Sequence, residues 1–426
     1  MYLKTPKKYA AKSRRRLLNL KWLWLYILFP VIVIPAALAW QFRVPISTSI
    51  GEWVGRNLKM EFNPPTPTPT IPAADLQARF VSYVQTGSMR NAIAALTSLA
   101  EARPNDVEVY ARLTRMLLSR DDNQSGREAA LVAAQGALNA NPEAAEGWVM
   151  VGMALNALDR PGEALPYLLR ARDFDSRSPA MLATLAETYD LLGRSDRALP
   201  LIDDAIEAAK AMSQVDVITL AYAYVVKGRI LLATSGDEAV RAFEEAWRVA
   251  QTEQTMPLGY IAQWLWSYYF NTDAITQIVD VMTIASDRDK DDPINPYLLG
   301  RTYLKTGDNN RALVALERCR DLDPNQVKCL RWLGTMMYRN NNLQRAAELG
   351  LRAVELGTDD PGAYLVAGSS LAFTSRCAEA LPVLQVGLTM AEKSPAYQQL
   401  VPQFRDALRS CGASGVTFAS PTPSSP

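Results

Sequence analysis

Side chains that ionise, attack or ligate are what a sequence offers to chemistry, and this chain of 426 residues contains no histidine. His-ligated zinc, Ser-His-Asp triads and Cys-His nucleophiles are thereby excluded. Four cysteines and one aspartate run remain. Cys319 sits late in one helix and Cys329 early in the next, across the turn Asp323-Pro324-Asn325, so a disulfide between adjacent helices is geometrically conceivable. Cys377 and Cys411 form a second candidate pair, and four small buried thiols are the alternative. Asp287, Asp289, Asp291 and Asp292 in SDRDKDDP have a calcium-loop spacing, but Asp292 stands where an EF-hand needs glycine and Leu298 where it needs glutamate. A solvated loop between helices is the expectation there. No catalytic residue, metal or cofactor is assigned.

The elements that would position these groups recur. Gly300, Gly334 and Gly368 are 34 residues apart, as are Ala312, Ala346 and Ala380, and Ala164 lies 34 before Ala198. In YLLGRTYLKTGDNNRALVALERCRDLDPN, Leu299, Gly300 and Tyr303 share one helical face. Gly307-Asp308 makes a turn, Ala312, Leu316 and Cys319 share the next face, and Pro324 ends the unit. Small residues at the crossing let paired helices approach closely, while larger apolar residues fill the space between neighbours.

These residues resemble the tetratricopeptide repeat, with its Trp, Leu-Gly, Tyr, Ala, Phe and Pro positions over 34 residues. The resemblance implies an all-α, right-handed α-solenoid of about nine helix pairs over 74–411. The helix SPAYQQLVPQFRDALRSC would cap it, and 412–426 would form a disordered tail. Around 251–292 the pattern departs: YIAQWLWSYYF puts aromatics where the family places Leu-Gly-Tyr, which reads as a bulky core helix or an exposed aromatic patch. The resemblance also places ligands on the concave face formed by each pair's first helix. By spacing, that face carries Tyr297, Arg301 and Lys305, then Arg331, Tyr338 and Arg339, a basic stripe suited to a carboxylate or an acidic segment. In the third and fourth units the same face carries Glu146, Met153, Asn156 and Glu187, so one half is basic and the other acidic.

Ahead of the repeats, residues 22–42 contain no charge and are long enough to cross a hydrocarbon core about 30 Å thick as one helix. Eight Lys or Arg and no acid occupy residues 1–21, which predicts a cytoplasmic N-terminus and repeats outside the cytoplasm. Cleavage near Ala39 and export is the alternative. Residues 43–62 have one amphipathic face, and the Pro/Thr-rich stretch 63–73 reads as an extended spacer. The rest of the chain is net acidic, which argues against nucleic acid as a partner. The expected function is a non-enzymatic, membrane-anchored scaffold that organises proteins of a membrane or envelope complex. A receptor for peptides or cell-surface polymers is the alternative.

Overall fold

The computed structural model describes residues 71–120 and 124–412 of the chain. The 22–42 segment, the amphipathic stretch after it, most of the proline spacer and the C-terminal tail lie outside the described residues. No helix among the described residues is long and apolar enough to cross a membrane.

Nineteen α-helices follow one another from Ala73 to Ser410. They pair as α1 (Ala73–Thr86) with α2 (Met89–Ala102), α3 (Val107–Arg120) with α4 (Gln124–Ala140), and α5 (Ala145–Ala157) with α6 (Pro161–Phe174). Next come α7 (Pro179–Leu191) with α8 (Ser195–Ala211), α9 (Val217–Leu231) with α10 (Gly236–Ala250), and α11 (Gly259–Asn271) with α12 (Ile275–Arg288). The last pairs are α13 (Ile294–Thr306) with α14 (Asn309–Leu322), α15 (Val327–Arg339) with α16 (Leu343–Glu355), and α17 (Pro361–Phe373) with α18 (Cys377–Lys393). A 3-10 turn, Pro395–Leu400, leads to α19 (Val401–Ser410). The described fold is an all-helical solenoid of TPR-like pairs.

In pairs three, seven and nine the two helices meet where a residue without a side chain faces a large one. Gly152 faces Leu168, Gly300 faces Leu316, and Gly368 faces Leu384; all three leucines are fully buried. A Cβ on Gly300 would stand 2.6 Å from Leu316, and one on Gly368 would stand 2.4 Å from Leu384. Burying each leucine contributes roughly 1.5–3 kcal/mol, and only a bare backbone leaves room for it. On the second helix, Ala164, Ala312 and Ala380 are equally inaccessible.

The turn inside a pair is just as regular. Asp159, Gly193, Asp273, Gly307, Asn341 and Ser375 all have φ between 58° and 79°. The next residue's N–H reaches back five positions, as when Asp308 donates to Tyr303 O and Arg376 to Leu371 O. This left-handed closure satisfies carbonyls that the helix end would leave unpaired. Only two of these six positions are glycine, so the fold holds four other side chains in a conformation they disfavour.

The cap closes the array as the sequence led us to expect. Val401, Phe404, Ala407 and Leu408 of α19 are buried in one cluster with Leu384 and Leu388 of α18. Cys377 and Cys411 are bonded across that contact, with Cα atoms 5.4 Å apart. Cys319 and Cys329 are bonded between α14 and α15, 6.1 Å apart. Replacing Gly300 or Gly368 by alanine should lower stability by roughly 1–3 kcal/mol through overpacking. Chemical denaturation of the purified repeat region measures it, and unchanged midpoints for both variants would refute the close approach as the organising contact.

Candidate binding groove

A cavity of about 360 Å³ opens on the face formed by the first helices of pairs two to six. Arg115, Ser119 and Arg120 line it from α3, Arg127 from α4, Met153 and Asn156 from α5, and Glu187 from α7. Tyr222, Val225 and Arg229 come from α9, and Tyr260, Gln263 and Trp264 from α11. A second cavity of about 270 Å³ adjoins it and shares Arg115, Ser119, Ile218 and Met256. Ser119, Met153 and Glu187 repeat at the 34-residue period, so the wall is the same helical face reused.

The floor is an acid satisfied from three sides. Glu187 pairs with Arg229, accepts from Tyr222 Oη at 2.5 Å and from Asn156 Nδ2 at 3.2 Å. Asn156 also exchanges bonds with Thr188, which locks its amide in place. Burial first, and the Glu187 charge second, push the Tyr222 phenol well above its ordinary range. Burial works against the Arg229 charge, but Glu187 together with Tyr260 and Tyr222 more than offsets it and the guanidinium stays protonated. Arg115 reaches Glu146 at 3.0 Å, which neutralises that side of the groove. Arg127 has no ion pair among the described residues.

The aromatic helix serves both core and cavity. Ile261, Ala262 and Leu265 of α11 are buried, while Tyr260 and Trp264 turn to the groove and Trp264 stacks on Phe243 at 5.4 Å. Trp266 donates to Thr302 Oγ1 at 2.9 Å and thereby ties α11 to α13.

The aspartate run departs most from the sequence expectation. Instead of being solvated, Asp289 is 2% and Asp292 5% exposed. The run reaches back to the start of the array: Lys290 N donates to Gly87 O at 2.9 Å, and Arg90 N donates to Asp291 Oδ2 at 3.0 Å. Arg120 pairs with Asp291 at 2.7 Å and Asp289 at 3.4 Å, and its guanidinium is itself buried. Beside this clasp α11 meets α3. No acidic or thiol cluster among the described residues could hold a metal ion.

The six residues expected to form a basic stripe lie elsewhere, and none of them lines the cavity. Tyr297 is buried and accepts from Arg301 Nη1 at 3.1 Å. The Arg301 guanidinium lies 4.2 Å from the Trp332 ring and 5.4 Å from Phe270. Lys305 pairs with Asp273 at 2.6 Å. Arg331 pairs with Asp360 at 3.0 Å, and its burial lowers the guanidinium below its ordinary range despite that carboxylate. Tyr338 packs near Phe373, with ring centres 6.2 Å apart, and Arg339 is exposed. Three of the four cations are thus engaged within the chain. Sequence reasoning did not single out Arg115, Arg120, Arg127, Tyr222, Arg229, Tyr260 or Trp264. For part of the wall a signal existed, because stepping back 34 residues from Glu187 gives Met153 and then Ser119.

Residues 297–361 match the tetratricopeptide repeat. The helical pairing of that stretch, α13 to the start of α17, is the pairing of the TPR-like units on either side. The human anaphase-promoting complex subunit 7 is 26% identical over 149 residues, which are 34% of this chain and 26% of that protein. The chain therefore matches about a quarter of its curated relative's length. Among solved structures, the anaphase-promoting complex hetero-tetramer Cut9–Hcn1 aligns with a TM-score of 0.48 at 15% identity, over 70% of this chain and 55% of that one. A monomeric mutant of IFIT1 with m7Gppp-AAAA aligns at 0.48 and 12% identity, over 80% of each chain.

Replacing Glu187 by alanine should cost about 3 kcal/mol, because Arg229 would be left largely buried without its partner. Replacing Glu379, whose pair with Arg376 is solvated, should leave the midpoint unchanged. Denaturant titration of the two variants side by side checks this, and equal effects would refute the structural weight given to Glu187.

Proposed function

We propose that this chain is a membrane-anchored TPR scaffold outside the cytoplasm that docks partner proteins of a membrane or envelope complex in the groove between α3 and α11. The observation that carries the docking reading is the groove itself. Its wall carries Arg127, which has no ion pair among the described residues, together with Met153, Tyr260 and Trp264, while its other charges are largely matched. Such a surface suits an extended protein segment with an acidic side chain next to apolar ones, since the carboxylate meets the Arg127 guanidinium and the neighbours lose water.

Three sequence features support the anchor. The uncharged run 22–42 spans a bilayer, the eight cations before it hold the N-terminus inside, and the proline-rich spacer stands the repeats off by about 28 Å. All four cysteines are paired, which accords with an oxidising compartment. The segment 22–42 is then the contact with the lipid bilayer. TPR proteins are typically non-enzymatic scaffolds, and docking needs no reactive group.

The test uses the full chain solubilised from its own membranes. Partners recovered with the native chain should fall at least tenfold with Arg127→Glu, while circular dichroism stays unchanged. Equal recovery from that variant would exclude the groove, and recovery of nothing from the native chain would exclude the scaffold. Protease added to intact cells should remove the repeats, and full protection would overturn the topology.

A further inference from the structure

The clasp between residues 287–292 and the first two pairs joins parts of the array that are far apart in sequence. Neighbouring pairs share apolar cores, whereas the core of α1 to α4 and the core containing α11 are separate clusters. What joins them there is polar: Lys290 N on Gly87 O, Arg90 on Asp291, and Arg120 on Asp289 and Asp291. Separating these groups breaks hydrogen bonds and ion pairs that water can replace. Arg120 belongs to both structures, since it lines the groove and holds the clasp.

We propose that the Arg120–Asp289–Asp291 clasp is a releasable latch that admits a docked segment to the groove, closed at acidic to neutral pH and opening as pH rises. The inference rests on the groove reading for its purpose, but the latch itself is measured without any ligand.

The direction follows from the charges that face Asp289. Arg120 approaches from α3, and Asp291 and Asp292 lie in the same loop. Arg90 from α2 addresses Asp291. Asp292 accepts from Ile294 N at the start of α13 and lies against Gly259 of α11. One buried arginine therefore serves two carboxylates, with a third nearby. Burial pushes the Asp289 carboxyl up to about 8, Arg120 pulls it down without prevailing, and Asp291 and Asp292 add to the rise. A group whose pKa is raised on closing takes up a proton when the latch shuts. Closure is then favoured below the ordinary carboxylate range, weakens by up to about tenfold per pH unit as pH climbs from there to about 8, and is flat above it.

Spin labels at the exposed positions Gln85, on α1, and Thr283, on α12, straddle the latch and can be introduced as cysteines because the native thiols are all bonded. Double electron–electron resonance on the solubilised full chain should give one short distance at pH 6. A longer population should grow at least tenfold by pH 9. Asp289→Asn, which keeps the shape and removes the charge, should stay short at both values. Arg120→Ala should be long at both, with circular dichroism unchanged. An identical distribution at pH 6 and pH 9 in the native chain overturns the latch. A latch that opens on schedule while Arg127→Glu recovers the same partners sinks the groove reading alone.

Discussion

The architecture depends on two helices of a pair coming closer than side chains normally permit. Where Gly300 meets Leu316 and Gly368 meets Leu384, the first helix offers bare backbone and the second a fully buried branched side chain. Everything downstream inherits that spacing. In most of the described pairs the turn between the helices closes in a left-handed residue, even when it is Asp273 or Ser375 and not glycine. The first helices must line up on one face, and that alignment brings Ser119, Met153 and Glu187 into one wall. A variation in the knob, as where Gly228 receives the ring of Phe243, is absorbed without losing the pairing.

Repetition explains what the sequence disclosed. Pairing, turns and cap are short-range consequences of a 34-residue pattern, so Gly300, Ala312 and Phe404 carry their structural meaning in their spacing. The groove was only half legible. Glu146, Met153, Asn156 and Glu187 fall on the inner face by the same arithmetic, but their partners do not: Arg229 answers Glu187 from 42 residues away, and Arg115 answers Glu146 from 31. Whether a charge on a stripe is free depends on the opposite wall. Arg301, Lys305 and Arg331 illustrate it, because their expected availability is absorbed by Trp332, Asp273 and Asp360.

The aspartate run was beyond sequence reasoning for a further reason. Its meaning comes from residues 171 to 201 positions away, Arg120 and Arg90, and no local periodicity connects them. Only the curvature summed over six pairs brings them together. A polar loop reads as solvated by default. Here that composition serves an interface between distant parts of one chain, where buried carboxylates are tolerated because a guanidinium is delivered to them.

The clasp also changes how the array would carry load. In a simple solenoid, tension entering at the first helix must pass through each pair in turn, and the end pair peels away before its neighbour feels the pull. Here α1 and α2 are tied directly to the segment before α13, so force applied near Ile71 divides between the serial path and a short cut that bypasses five pairs. Beyond that junction lie the two disulfides, Cys319–Cys329 and Cys377–Cys411. The chain is therefore mechanically graded, compliant across its groove and stiff at the end farthest from α1.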